Sequence, residues 1–198
     1  MIKKIPVLMT AILTITAAAQ AQVGPEMRDV RTAAGMTVHG PVGGQYFRME
    51  LRGRDTGRVR TTKKYWYRVD GVRFEFFSED RNNFVMTDVP KPLDDRVVLD
   101  LYRSDYLRRF AGTKPPNWRT AWIDLASGKT ALFWSYKKNA ATPKPGHLSN
   151  HEMFLVVSGP GHVFGLFAQV PPGRTEADVR SILTRTLGRL TFADEPFG

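Results

Sequence analysis

The last third of the chain carries the pattern that most limits the fold. Two apolar segments, residues 152–157 and 162–170, flank the tetrapeptide Ser158-Gly-Pro-Gly161 and predict a β-hairpin. A helix follows, because Thr175 and Asp178 have the spacing of a capping box. Apolar residues then recur every three or four positions, as on one face of a helix: Val179, Ile182, Leu183, Thr186 and Leu187. Since neither a hairpin nor such a helix buries its apolar face alone, we expect the helix to lie on the sheet.

Upstream segments predict further strands. Residues 45–51 alternate, with Phe47, Met49 and Leu51 on one face. Asp70-Gly71 lies between two aromatic and β-branched segments and predicts a hairpin with a type I′ turn over residues 58–78. Shorter apolar segments predict the remaining strands, at residues 36–42, 117–125 and 129–136.

A second helix is predicted from Asp94 or Asp95, as N-cap, to about Ala111. Gly112 and the prolines after it end the pattern. Its expected apolar side consists of Val97, Val98, Leu101, Tyr102, Tyr106 and Phe110. The N-terminal helix position also explains the paired carboxylates of Asp94 and Asp95 without a catalytic role.

The N-terminus has the features of a secretory signal peptide. Lys3 and Lys4 precede an apolar segment that ends in Ala19-Gln-Ala21. We therefore predict a signal peptide at residues 1–21, a flexible N-terminal segment at 22–36 and a single α+β domain at 37–198. The expected location is periplasmic or secreted, with no membrane span after signal cleavage. The 198-residue chain contains no cysteine, so the domain is disulfide-free and depends on its apolar core.

About seven strands, mostly joined as hairpins, and two helices predict an α+β fold in which both helices pack on an antiparallel sheet. The strand pair, the Pro-Gly turn and the helix ending in Leu-Gly-Arg-Leu-Thr-Phe192 resemble the C-terminal part of the Mog1/PsbP-like family of small exported α/β sandwich proteins. The resemblance covers residues 118–192. It implies a Mog1/PsbP-like sandwich and a non-catalytic accessory or binding role, and it assigns no site residue.

The net charge of +10 favours an anionic partner. Cations alternate with an aromatic residue along one predicted strand, so that six side chains share a face: Arg58, Arg60, Thr62, Lys64, Trp66 and Arg68. Guanidinium groups bind anionic oxygens, and tryptophan stacks on bases or sugars. The predicted ligand-binding residues are Arg58, Arg60, Lys64, Trp66 and Arg68, which we call the predicted stripe. The alternative is a solvated face whose cations prevent edge pairing.

The expected partner of the predicted stripe is an anionic envelope polymer or an acidic protein, in preference to nucleic acid. The chain contains no G-x-S-x-G motif, and without cysteine it has no thiol chemistry. His147, His151 and Asp124 suggest the alternative, a small exported hydrolase using histidine and carboxylate groups. No cofactor, metal site or catalytic residue is predicted, and the oligomeric state is left open.

Aromatic residues concentrate on the two strands predicted at 117–125 and 129–136. They are Trp118, Trp122, Phe133, Trp134 and Tyr136. Two interpretations remain open for them: a buried core, or the lining of a pocket for a sugar or a flat apolar ligand.

Overall fold

The computed structural model describes most of the chain in five segments, residues 27–59, 65–85, 93–111, 118–137 and 149–197. The predicted signal peptide at residues 1–21 lies outside these segments, and so do Arg60, Lys64 and His147. In the described segments, neither α-helix has the length and apolar character needed to cross a membrane.

The described residues form eleven strands and two α-helices. The strands are β1 (Arg28–Thr32), β2 (Gly35–Val42), β3 (Gln45–Arg52), β4 (Thr56–Val59), β5 (Trp66–Val69), β6 (Val72–Asp80), β7 (Arg119–Asp124), β8 (Thr130–Lys137), β9 (His151–Ser158), β10 (His162–Gln169) and β11 (Leu190–Ala193). The helices are α1 (Asp95–Tyr106), which continues into a π-helical turn at Leu107–Ala111, and α2 (Glu176–Leu187). A 3-10 turn spans Arg81–Asn83.

The strands form two antiparallel sheets. The larger has seven strands in the order β4-β5-β6-β10-β9-β8-β7, and the smaller has four in the order β1-β2-β3-β11. The α+β class and the seven-stranded antiparallel sheet with packed helices are confirmed. The second sheet is an addition to the predicted architecture, because alternation identifies the buried face of a strand but not the strand with which it pairs.

The two faces of the seven-stranded sheet are covered differently. One face packs on α1 through an aromatic cluster that includes Tyr102, Trp134, Phe154 and Tyr136. Trp134 stacks on Phe154 with a centroid separation of 5.0 Å. The opposite face packs on the four-stranded sheet and α2 and forms the larger core, with Phe47, Phe76, Phe164 and Leu183 among its buried members.

Helix α2 confirms its prediction residue by residue. Thr175 and Asp178 form the capping box, since each side chain bonds the other residue's backbone N–H. The five residues of the predicted apolar face are all buried: Val179, Ile182, Leu183, Thr186 and Leu187. The helix contacts β9 and β10 of one sheet and β3 of the other, so it covers the line along which the two sheets meet.

Helix α1 is capped by Asp94, as predicted, because its carboxylate accepts a bond from the Arg96 N–H at 2.7 Å. The predicted apolar face is wrong in part. Val97 is 44% exposed, and Leu99 is fully buried instead. The helix is rotated so that Tyr102 reaches Phe77 and Phe84, and those contacts involve residues distant in sequence.

The Asp70-Gly71 hairpin has the predicted geometry, with φ of 48° at Asp70 and 82° at Gly71. Positive φ at both central residues defines the type I′ turn. Tyr67 and Phe74, on its two strands, are buried on the same side. The turn also accepts a hydrogen bond from Arg174, whose Nη2 lies 2.8 Å from the Asp70 carbonyl oxygen.

The N-terminal segment at residues 22–36, predicted to be flexible, contains a strand in its described part. Residues 28–32 form β1, which pairs with β2, and Met27 is buried. All five residues of β1 are exposed, so their side chains show no alternation in the sequence. Backbone pairing and a 3.2 Å bond from Arg31 to the Thr56 carbonyl hold the strand in place.

Candidate functional site

A cleft lies where the start of α2 meets strands β7, β8 and β9. It consists of two adjoining cavities of about 360 and 680 Å³, both bordered by Arg119 and Glu176. We call it the basic groove and define it by its charged and titratable residues: Arg119, Lys137, His151, Arg174, Glu176 and Arg180.

The charges of the basic groove are unbalanced. Four cationic side chains border it together with one carboxylate, that of Glu176. Arg119 is the more exposed partner of its ion pair, with 73% of its side chain accessible, and its Nη1 lies 3.7 Å from a Glu176 oxygen. At pH 7 the groove therefore has an excess of positive charge facing solvent.

Strand register and helix capping place these side chains. Lys137 of β8 is paired with His151 of β9, so their side chains lie next to each other on one face. The carboxylate of Asp178 is held by the Thr175 N–H at 3.0 Å, which also lowers the Asp178 pKa. Asp178 thus caps the helix, and Glu176 is the acidic residue of the first turn that borders the groove.

His151 is the histidine that borders the groove. Its Nε2 lies 3.1 Å from a Glu176 oxygen. Burial lowers the His151 pKa below its ordinary value; Lys137 and Arg119 lower it further, and Glu176 opposes them. At neutral pH the imidazole is therefore mainly uncharged, and an anion bound nearby would favour its protonation.

The wider part of the groove has an aromatic and apolar lining. Trp118, Ala121 and Phe133 border it, and the Arg180 guanidinium lies 5.6 Å from the Phe133 ring centroid. Ser135 occupies the same face of β8 between Phe133 and Lys137. Its hydroxyl is buried and has no hydrogen-bond partner among the described residues. The groove thus joins a cationic part to an apolar part.

The predicted stripe does not form one surface in its described part. Arg58 lies on β4 and pairs with Tyr67 of β5, whereas Trp66 pairs with Val59. Arg58 therefore faces the opposite side of the sheet from Trp66 and Arg68. The prediction of a common face was wrong because the chain reverses direction between β4 and β5, and period-two alternation holds only within one strand.

The described cations of the predicted stripe also have acidic partners. Arg58 lies 3.3 Å from an Asp29 carboxylate oxygen, and Arg68 lies 2.8 Å from one of Asp55. Trp66 packs edge-on against Phe167, with 5.9 Å between ring centroids. The proposed ligand binding by Arg58, Arg60, Lys64, Trp66 and Arg68 stays a prediction.

The remaining candidates have separate positions. Asp124 is exposed on the α1 side of β7, where it accepts a bond from the Thr130 hydroxyl at 3.2 Å. It does not border the basic groove. Within the described segments, His, Asp and Glu side chains form no group of three that would hold a metal ion.

The aromatic residues divide between the two interpretations that were left open. Trp134 and Tyr136 are buried in the cluster under α1. The Tyr136 hydroxyl donates to Glu152 at 2.7 Å, and burial raises the Tyr136 pKa. Trp118 and Phe133 border the groove, but Phe133 is 1% exposed and belongs to the larger core, and Trp118 also stacks on Trp134. Trp122 is 37% exposed. The strand pair itself, β7 with β8, is as predicted.

Sequence reasoning missed most of the basic groove. Arg174 and Arg180 flank the helix start, and Lys137 ends a strand, so nothing in their spacing connects them. One local signal was present: Glu176 and Arg180 are four residues apart on a predicted helix, which places them on the same side. Their approach to β8 and β9 depends on strand order.

Comparison with known proteins gives a coarse structural likeness. No family model matches the sequence, and no curated protein matches it. The fold is similar to the solution structure of cyanobacterial PsbP (CyanoP) from Synechocystis sp. PCC 6803, with a TM-score of 0.39 and 11% identity over 77% of this chain and 90% of that one. Membership of the Mog1/PsbP-like family stays a prediction.

Proposed function

We propose that this protein is an exported, non-catalytic binding protein whose basic groove takes an anionic ligand. The ligand class is a sulfated, phosphorylated or carboxylated envelope polymer, or an acidic segment of another protein. The observation that carries the proposal is the charge imbalance of the groove, where Arg119, Lys137, Arg174 and Arg180 are accompanied by the carboxylate of Glu176.

The proposal moves the anionic contact from the predicted stripe to the basic groove. A cation attracts a ligand most strongly where it is not already neutralised by an acid. Arg58 and Arg68 each pair with one carboxylate, whereas Lys137 borders a cavity together with two arginines and one glutamate. The half-buried Trp118 in the wider part of the groove suits an anion attached to a sugar or another flat body.

The test compares two triple variants of equal net charge, with a heparin fragment as the probe. The groove variant replaces Arg119, Lys137 and Arg180 by alanine. The control replaces three exposed arginines outside the groove, Arg28, Arg52 and Arg73. We expect the groove variant to bind heparin at least tenfold more weakly in calorimetric titrations, and the control to stay within threefold of the parent protein.

Equal losses in the two variants would show that net charge alone attracts heparin and would refute the groove. A third variant, Arg58→Ala with Arg68→Ala, tests the predicted stripe. If it loses more affinity than the groove variant, the contact lies on β4 and β5 instead. Unchanged circular dichroism and melting temperature are required of each variant before its affinity is compared.

A hydrolase is the second candidate function, supported by one observation. His151 and Glu176 form a hydrogen-bonded pair at 3.1 Å beside an open cavity, which suits a general base. Turnover of 4-nitrophenyl esters and phosphates distinguishes the candidates. The binding proposal expects no rate above buffer, whereas a hydrolase predicts turnover that His151→Gln abolishes.

A further inference from the structure

Strand β7 is an end strand of the seven-stranded sheet. Within the described segments, no other strand pairs with its outer edge. The strand at the opposite end, β4, differs because Arg31 of β1 donates to the Thr56 carbonyl. An uncovered strand edge offers a row of backbone donors and acceptors to another chain.

The register identifies the backbone groups that face outward. In the turn after β7, the Leu125 N–H donates to the Lys129 carbonyl at 2.8 Å. Along an antiparallel pair every second residue bonds its partner strand, so the odd-numbered residues of β7 bond β8. The N–H and C=O groups of Thr120, Trp122 and Asp124 therefore point away from the sheet.

This edge lacks three of the usual devices against pairing, namely lysine, proline and a bulge. β7 contains no lysine and no proline, and its six residues pair with β8 without a bulge. Helix α1 packs mainly on β8 and β9, and α2 on β3, β9 and β10. Helix α1 reaches β7 through side chains, and the Arg96 guanidinium lies 5.2 Å from the Trp122 ring centroid. Trp122 is one of the few large apolar side chains that are exposed.

The outward residues are also self-complementary. They are symmetric about Trp122, so a two-fold pairing places Trp122 opposite Trp122 of a second copy, and Thr120 opposite Asp124. All three side chains lie on the α1 side of the sheet, where Arg103 donates to the Thr120 hydroxyl at 3.2 Å. Arg103 of each copy thereby comes next to the Asp124 carboxylate of the other, and the two indoles become cross-strand neighbours.

We propose that β7 pairs antiparallel with β7 of a second copy of this chain, about a two-fold axis at Trp122. The pairing joins two seven-stranded sheets into one and satisfies the outward groups of Thr120, Trp122 and Asp124 in both copies. Because this axis is perpendicular to the sheet, the two basic grooves lie on the same side. A dimer thus presents two grooves to a polymeric ligand.

Single cysteines test the register in a chain that has none of its own. Trp122→Cys should form a disulfide-linked dimer under mild oxidation, because hydrogen-bonded pairs place their Cα atoms about 5.5 Å apart. Thr120→Cys should not link to itself, since four residues of offset separate the sites by about 13 Å. A mixture of Thr120→Cys and Asp124→Cys should link. Val30→Cys, at an exposed position of β1, is the control for disulfides that form by random collision.

Sedimentation equilibrium tests the same pairing without oxidation. Trp122→Pro removes an outward N–H and leaves the ladder to β8 intact, whereas Trp122→Ala keeps that N–H. We expect dimerisation of the proline variant to be at least tenfold weaker than that of the alanine variant, at equal melting temperature. The proposal would be overturned if the proline and alanine variants dimerised equally or if the parent protein stayed monomeric. It would also be overturned if Trp122→Cys formed disulfide-linked dimers no faster than Val30→Cys.

Discussion

The basic groove and the predicted stripe are both rich in cations, yet their acidic neighbours differ. In the described part of the stripe, each arginine has its own carboxylate: Asp29 for Arg58 and Asp55 for Arg68. In the groove, four cations and one carboxylate, that of Glu176, border the cavities, and Arg119 is the cation that pairs with it. A run of positive residues in the sequence therefore does not determine the electrostatic field at the protein surface. That field depends on counter-charges that the fold brings in.

The two regions also differ in how their side chains converge. In the described part of the stripe, Arg58 lies on the opposite side of the sheet from Trp66 and Arg68, because β4 and β5 are separate strands. The groove collects Arg119 and Lys137 from the paired strands β7 and β8, and Arg180 from helix α2, which lies further along the chain. The groove is therefore assembled by tertiary contacts, and four predictions test the contrast.

The largest expected effect is the salt dependence of heparin binding. If four groove cations engage the polymer, affinity should fall about 10²-fold between about 50 and 200 mM salt, by analogy with the counterion release of nucleic acids. Lys137→Ala should reduce the slope of log K against log salt by about one quarter. Arg58→Ala should leave the slope unchanged, and a slope lowered equally by both variants would remove the distinction.

Removing an acid should strengthen binding only at the groove. Glu176→Gln deletes its carboxylate, and one unit charge at about 4 Å in water is worth about 1 kcal/mol, or roughly fivefold in affinity. Asp55→Asn is the matched change beside Arg68. We expect tighter heparin binding for the first variant and no change for the second in parallel calorimetric titrations. The reverse outcome places the ligand on the stripe.

Binding should strengthen as the pH falls. The His151 pKa lies below its ordinary value of 6.5. When the pH falls below this lowered pKa, the imidazole gains a proton beside Arg119, Lys137 and Glu176. The extra charge should raise heparin affinity a few-fold between about pH 7.5 and 5, and His151→Gln should abolish this dependence. Without ligand, the lowered pKa means that the unfolded state binds this proton more readily than the folded state. The free energy of unfolding should therefore decrease as the pH falls over that range.

The smallest effect concerns stability at the stripe. Arg58→Ala removes a partly exposed ion pair with Asp29 and should cost at most about 1 kcal/mol of unfolding free energy in urea titrations. Lys137→Ala, at an exposed groove position, should cost less. A larger loss of unfolding free energy for Lys137→Ala than for Arg58→Ala would mean that the groove cations stabilise the fold, which would argue against a role in ligand binding.

The reliable predictions concerned elements specified by neighbouring residues. The capping box at Thr175 and Asp178 and the type I′ turn at Asp70 are formed by side chains and backbone a few positions apart. The buried side of α1 was predicted less well, because Leu99 and Val97 are equally apolar and distant contacts to Tyr102 decide which one faces the sheet.

The candidate site was predicted only in kind. The composition predicted a basic surface for an anion, which stays a prediction, and His151 was singled out for the hydrolase alternative. The common face predicted for the stripe is wrong in its described part. Beyond the four-residue spacing of Glu176 and Arg180, no sequence pattern joined these two residues to Arg119 and Arg174. Their meeting requires the order β9-β8-β7 and the placement of α2, neither of which short-range periodicity contains.

By itself the sequence determined the α+β class, the cap and buried face of α2, and the hairpin turn at Asp70. Each of these depends on interactions within one or two turns of the chain. Only the tertiary structure decided which cations keep an unbalanced charge and which strand edge stays open. Those properties depend on the positions of Asp29, Asp55 and Glu176 relative to distant arginines, and such distances are set by strand pairing across the whole domain.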